Sequence, residues 1–339
     1  MKRLFVLFAF LLVSCAVFAQ DEKPQSEGVL MIVPRLDVEP AYSFSDREWS
    51  VDLGYTSLYT YVDGNIGEHF SYSLANRWIT GPSILNDTRD MYAHTWSRNY
   101  SNWISWATVT GRYEGFFLTL GKDYIHFGTK EIDDYDHDSH WQLNSILWNC
   151  YQVFQWGGRF GWATEDEDTK FFVEITNDQP HTPQEENLRP FSGRNFGDYA
   201  LNIFGMHDFD NVTLTGSISQ CSLNWLGSLG LGVHFSDALS MQFDSYISKV
   251  YGAATLHLTY SPGEHFDIFA KGGYDQWNTD TFGLEDYRGK RFYGGIGGYW
   301  YPLSDNHDLR IHALASYDGY DKSAYFSVGA VYLLNIKLY

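Results

Sequence analysis

The chain has 339 residues and a formal net charge of −19, with 42 acidic side chains against 23 Lys and Arg. That balance excludes nucleic acid as a partner, because phosphates demand a basic patch. Aromatic residues make up 18% of the chain and 31 Gly stand against 9 Pro, a composition that favours strands over helices.

Residues 1–19 read MKRLFVLFAFLLVSCAVFA, a basic start at Lys2 and Arg3, then an apolar run, then small residues. This is the pattern of an export signal peptide. Cleavage after Ala19 is the favoured reading. Leu12-Val13-Ser14-Cys15 also resembles a lipobox, which would instead place a lipid on Cys15. Residues 20–28 then form a short periplasmic segment ahead of one large domain, 29–339. Beyond the signal no apolar run approaches the ~18 residues of a membrane-spanning helix, so the exported chain is either soluble or a barrel. Cleavage after Ala19 leaves only Cys150 and Cys221, so at most one bridge can form, and a Cys150–Cys221 pair is its only candidate.

From residue 29 onward apolar and polar side chains alternate at period two, the mark of strands with one oily face. In 29–43, Leu30, Ile32, Pro34, Leu36 and Val38 oppose Arg35, Asp37 and Glu39. Strands follow at 49–62, 69–79, 102–112 and 116–127. In the last of these Phe116, Leu118 and Leu120 share one parity while Ile125 and Phe127 take the other, and a bulge near Gly121 would reconcile them. Next come 151–162, 170–177, 198–208 and 212–224, where Val212, Leu214 and Ile218 oppose Thr213, Thr215 and Ser217. The walk continues through 229–236, 240–248, 253–261, 266–277, 291–302 and 309–318. It ends at 323–339, where Phe326, Val328, Ala330, Tyr332, Leu334, Ile336 and Leu338 form an uncharged row.

A soluble sandwich alternates in the same way. Connection lengths decide between the two: short joins such as YEG, FDN and SPGEH alternate with a set that includes four long ones. Short turns at one end and long loops at the other indicate an all-β fold, a closed antiparallel transmembrane β-barrel of about 16 strands with periplasmic turns and extracellular loops. Closure follows from the bilayer, where an open strand edge would leave backbone groups without partners. The oily rows then face outer-membrane lipid, and Trp49, Tyr72, Trp78, Trp162, Tyr260, Tyr317 and Tyr332 near strand ends belong to interfacial girdles.

The opposite parity defines a lumen wall with Arg35, Asp37, Glu39, Asp52, Arg77, Arg159, Lys170, Glu174, Asp244, Asp267, Lys271, Asp275, Arg310 and Asp318. The set is mixed and leans acidic. In the long join at 128–150, Asp133, Asp134, Asp136 and Asp138 stand beside His137 and His140. Ringed carboxylates at a constriction would select for cations. A solvated acidic loop outside the cell is the competing reading. DDYDHD lacks the glycine and closing Glu of an EF-hand loop, so no metal site and no cofactor is expected.

The phrases SLYTYVDGNIGEHFSYSLANRWI and FFLTLGKDYIHFG resemble outer-membrane porins of the porin O/P type, the phosphate-selective porins and their relatives. The resemblance implies sixteen strands, a homotrimer, and a third long loop, here 128–150, folded inward to narrow the pore. The Arg and Lys ladder on which phosphate selectivity depends in that family has no counterpart here. The expected function is passive diffusion of small hydrophilic solutes with a cation lean and no catalysis. Two alternatives stay open. One is a non-channel barrel supporting surface polysaccharide, with Tyr92, Trp96, Trp103, Trp141 and Trp148 stacking on sugars. The other is a barrel hydrolase, for which HDSH at 137–140 offers the residue types without a recognisable context.

Overall fold

The computed structural model describes residues 27–54, 56–80, 104–133, 140–151, 153–178, 199–279, 281–282, 284, 287–303 and 307–338. The expected signal peptide lies outside the described residues. So does most of the 20–28 segment, of which Glu27 and Gly28 already belong to the first strand.

The strands are β1 (Glu27–Ser43), β2 (Glu48–Asp52 and Ser57–Ile66), β3 (Phe70–Thr80), β4 (Ile104–Tyr113), β5 (Phe116–Tyr124), β6 (Phe154–Ala163), β7 (Thr169–Asn177) and β8 (Tyr199–Asp208). They continue with β9 (Val212–Cys221), β10 (Asn224–Ser236), β11 (Leu239–Ile247), β12 (Tyr251–Gly263), β13 (Phe266–Asn278), β14 (Arg288–Trp300), β15 (Leu309–Asp318) and β16 (Ser323–Tyr332 and Leu334–Lys337). Each overlaps one of the sixteen predicted ranges. Every strand pairs antiparallel with its neighbours in sequence, and β1 meets β16, as in Leu36↔Ala330 and Leu30↔Ile336, which closes the barrel.

Where β2 breaks, the ladder is repaired by a side chain. The Thr56 hydroxyl donates to the Asp37 carbonyl (3.0 Å) and accepts from the Asp37 N–H (2.9 Å), so both backbone groups keep partners. The break in β16 at Leu333 is met likewise, its N–H donating to the Asp308 carbonyl at 2.8 Å.

The bulge expected near Gly121 is not there. Pairing runs through Thr108↔Gly121 and Gly121↔Gly157 without a register shift. The parity appeared to break because β5 ends at Tyr124: Ile125 and Phe127 have left the wall and are fully buried.

The outward faces carry an aliphatic band with the exposure of a surface that meets lipid: Leu36 is 59% exposed, Ile218 58%, Ile296 60% and Val328 58%. Two aromatic rims bound it. Phe116, Trp162, Phe171, Phe235, Tyr260, Trp300 and Tyr332 lie exposed toward the short-turn end, and Phe44, Trp49, Trp78, Trp225 and Tyr317 toward the other. This is the girdle pattern of membrane barrels, except that Tyr72, expected in a girdle, lines the interior instead. No described helix is long and apolar enough to cross a membrane. The inward face is inverted: Arg35, Asp37, Glu39, Asp244, Asp275, Arg291 and Asp318 are all buried. The largest apolar cluster lies in the interior as well, where Ile125, Phe127, Ile132, Ile146, Leu147 and Trp148 pack on Tyr246, Tyr251 and Trp277 of the wall.

On β15, Ala313 is exposed outward and Ser316 is buried inward. Ala313→Arg should destabilise the assembled barrel by roughly 2 to 4 kcal/mol if it sits at the bilayer midplane. Ser316→Ala should cost under about 1 kcal/mol. Equal losses in urea-unfolding measurements on folded barrels in lipid would contradict this assignment of faces.

Candidate functional site

After Tyr124 the chain turns into the lumen. Its neck is closed by the Ile125 N–H donating to the Val153 carbonyl at 2.8 Å. The segment then crosses β9 and β10, where Ser217 and Ser228 hydroxyls donate to the Phe127 carbonyl and Thr215 donates to Gly128 O at 3.0 Å. Gly128 has φ +67°, and a Cβ there would stand 2.4 Å from the Gly216 carbonyl carbon. Only glycine can pass so close to the wall.

A single helical turn, α1 (Lys130–Asp133), follows. Asp244 of β11 caps it, accepting from the amides of Lys130 (2.7 Å) and Glu131 (2.9 Å). The Asp133 backbone closes that turn; Asp134, Asp136, His137 and Asp138 lie outside the described residues. The chain re-enters at His140, makes a 3-10 turn at Trp141–Leu143 and a short helix, α2 (Ile146–Cys150), N-capped by the Ser145 hydroxyl accepting from Trp148 N at 3.2 Å. The first amides of α2 are also met from the wall: Ile146 N–H donates to Asp275 Oδ1 (3.1 Å) and Leu147 N–H to the Tyr251 hydroxyl (3.3 Å).

The loop is latched by charge as well. Arg291 of β14 is fully buried, pairs with Asp318 at 2.6 Å and Asp275 at 3.5 Å, and donates to the carbonyls of Asn144 (2.6 Å) and Gln142 (2.9 Å). Lys271 reaches Glu131 at 3.0 Å and Asn144 Oδ1 at 2.7 Å. Gln142 donates to Glu39. His140 sits 4.9 Å from His312, which lies 2.9 Å from Asp37, itself paired with Arg35 at 2.7 Å. Burial, then the charge of Arg35, holds the His140 imidazole well below its ordinary pKa, so it is neutral at pH 7.

The predicted lumen residues therefore fall into separate groups. Arg35, Asp37, Glu39, Asp244, Lys271, Asp275 and Asp318 gather around the inward loop. Across the barrel, Arg159 pairs with Asp123 at 2.7 Å, Lys170 with Glu167 at 3.0 Å, and buried Glu174 accepts from the His126 N–H at 3.2 Å. Asp52 and Arg77 are half-buried on β2 and β3. Toward the short-turn end Asp267 accepts from the Tyr301 hydroxyl at 2.6 Å, and Arg310 Nε donates to the His307 carbonyl at 3.4 Å. Arg291, Glu131 and His312 were not among the predicted residues. Arg291 was legible, since it opposes the outward row Phe292, Ile296 and Trp300. Glu131 lies in the loop, where no periodicity marks it. The suggested bridge is absent: Cys150, buried within α2, and Cys221, contacting the Asn224 carbonyl at 3.8 Å, form no disulfide.

Toward the short-turn end the lumen opens into a cavity of about 770 Å³, with Glu27, Asp63, Ser73, Thr108, Arg159 and Lys337 among its lining residues. Among the described residues no group of His, Cys, Asp and Glu is arranged to hold a metal ion.

The outer membrane channel DcaP of Acinetobacter baumannii has the same architecture, with a TM-score of 0.61 over 91% of this chain and 97% of that one at 12% identity. An anion-selective porin from Comamonas acidovorans matches with a TM-score of 0.61 over 91% and 100% at 10% identity. OmpT, an outer membrane protein of Vibrio cholerae in a trimer form, gives 0.53 over 91% and 99% at 10% identity. At these identities the likeness is one of fold. No family model and no curated protein matches the sequence.

Arg291→Gln removes the charge that Asp275 and Asp318 share at the latch, and should destabilise the folded barrel by about 3 to 5 kcal/mol. Arg288→Gln, at an exposed site on the same strand, should stay within about 0.5 kcal/mol. Thermal unfolding in detergent compares them, and equal midpoints would remove Arg291 from its role.

Proposed function

We propose that this protein is a passive diffusion channel for small hydrophilic solutes in the outer membrane of a Gram-negative-type bacterium. The observation that carries the reading is a closed sixteen-stranded barrel whose long loop is latched across the lumen, above a polar cavity of about 770 Å³. A loop held by buried ion pairs and capped amides sets a fixed aperture, which sorts solutes by size and charge without any reacting group. Shared fold with a channel and a porin supports the reading, and the two phrases quoted from the sequence support kinship with the porin O/P type. A homotrimer is the assembly proposed, after the trimer form of the Vibrio protein.

The cation preference rests on Asp133, Asp134, Asp136 and Asp138. Both flanks of that run, 130–133 and 140–150, have backbone or side chains seated in the lumen, which supports its placement near the aperture. The lumen carboxylates Glu39, Asp244 and Asp275 already accept from the loop, and Asp318 is paired with Arg291, which itself holds the loop carbonyls, so ion preference falls to the loop's own acidic run. Concentrated negative charge between low-dielectric walls favours cations, and salt screens the effect over a Debye length of ~3 Å at 1 M.

In planar bilayers the purified protein should form discrete conducting steps, and reversal potentials across a salt gradient should report cation preference that fades in high salt. Replacing the four Asp by Asn should reduce that preference and leave assembly intact. Absence of conductance would reject the channel; anion preference, or no change in the quadruple variant, would reject the acidic aperture alone.

A further inference from the structure

Between the start of the inward loop and the wall strands β4 to β9 lies a second cavity, of about 210 Å³. It shares Thr110 and Arg159 with the larger cavity, so the two adjoin. Four cationic side chains, Arg112, Lys130, Arg159 and Lys170, line it together with His126, and none of its lining residues is acidic. In a chain of net charge −19 this is a local inversion of sign.

The carboxylates beside three of these cations, Glu167, Asp123 and Glu174, are not among the residues that line the cavity. Arg112 and Lys170 share the single carboxylate of Glu167 at the short turn, and Arg159 is paired with Asp123. Desolvation raises the Glu167 pKa, but the hydrogen bonds from Arg112 and Lys170 outweigh it and leave the carboxyl below its ordinary value. One carboxylate between two guanidinium and ammonium groups leaves donor capacity for a second anion.

The rest of the lining is aromatic. Phe172 and Phe204 are stacked with centroids 4.4 Å apart at 13°, and Phe117 meets Phe172 edge-on at 6.1 Å. The Arg159 guanidinium lies 5.7 Å from the Phe172 centroid and that of Arg112 6.0 Å from Phe117. Cation and ring thus adjoin one another along one side of the cavity, where the rings are buried and offer an aryl group their edges while the cations offer its charged group paired donors. Sites for drug-sized ligands begin near 300 Å³, so 210 Å³ suits a molecule of one ring.

We propose that this cavity is a binding subsite for small aromatic carboxylates of about benzoate size, met by such solutes on their way along the lumen. The inference deepens the channel reading and rests on it for its purpose, though the binding itself does not require conduction. An anion that the net charge would repel is held here because its carboxylate finds Arg112, Lys170 and Arg159 while its ring meets the edges of the buried phenylalanines.

The test uses benzoate, acetate and inorganic phosphate as probes on the full-length barrel, by calorimetry in detergent and by current block in bilayers. Benzoate should bind and block, and acetate and phosphate should bind at least about tenfold more weakly, since each lacks one half of the recognition. The double variant R112Q/K170Q should weaken benzoate about tenfold or more, the worth of one charge-assisted hydrogen bond. Phe172→Leu removes the ring but keeps an apolar side chain, and should weaken benzoate but not acetate. Folding of each variant is checked by its far-ultraviolet dichroism. Phosphate or acetate binding as tightly as benzoate, or benzoate unaffected by the folded double variant, would overturn the proposal. Conductance without benzoate binding would sink this inference and spare the channel; calorimetric binding without conductance would do the reverse.

Discussion

A strand edge in hydrocarbon has no water to satisfy its N–H and C=O groups, and the pairing of β1 with β16 is the contact through which this chain meets that constraint. Everything else in the molecule is arranged around keeping the ring intact. The two places where the ladder falters show how strictly it is kept. At the break in β2 the Thr56 hydroxyl serves both backbone groups of Asp37, and at the break in β16 the Asp308 carbonyl takes the Leu333 amide. Once closed, each strand has one face on lipid and one on the interior, and the period-two alternation of side chains becomes a partition between two solvents.

The interior of this barrel is neither an open tube nor a soluble-protein core. Its wall carries carboxylates whose main structural work is to accept hydrogen bonds from a loop that would otherwise bring bare amides into the lumen. Asp244 caps one helical turn, Asp275 receives the first amide of the next, and Arg291 ties two wall carboxylates to two loop carbonyls. Buried charges of this kind add little net stability compared with apolar packing, but losing one partner strands the others. Such a latch therefore fixes one position of the loop more than it strengthens the fold.

Sign is distributed unevenly as a result. The acidic excess of the wall between β11 and β1 is spent on the loop, while the wall from β4 to β8 gathers Arg112, Arg159 and Lys170 beside phenylalanine rings. A lumen that is acidic on average can hold a basic recess because the two lie on opposite walls with the loop between them, and because buried pairs screen one another over short distances. Overall charge and local recognition are thus set by different residues.

The sequence by itself determined the barrel. Leu36 against Arg35, or Ile268 against Asp267, can be assigned to lipid and lumen from alternation alone, because membrane and water impose opposite demands on adjacent side chains of one strand. Join lengths then separated the two ends. Arg291 is within reach of the same parity, opposite Phe292 and Ile296. What only the tertiary structure decided is everything that joins distant strands: Lys271 to Glu131, Arg291 to the Asn144 carbonyl, Phe172 beside Phe204 with Arg159 above. It also decided that Gly121 continues a regular ladder, that Ile125 and Phe127 leave the wall, and that Cys150 and Cys221 stay apart. Alternation reports which solvent a residue faces, a property of its own strand. A loop crossing the interior has no period to read, and the partners it finds are fixed by where sixteen strands place their inward side chains.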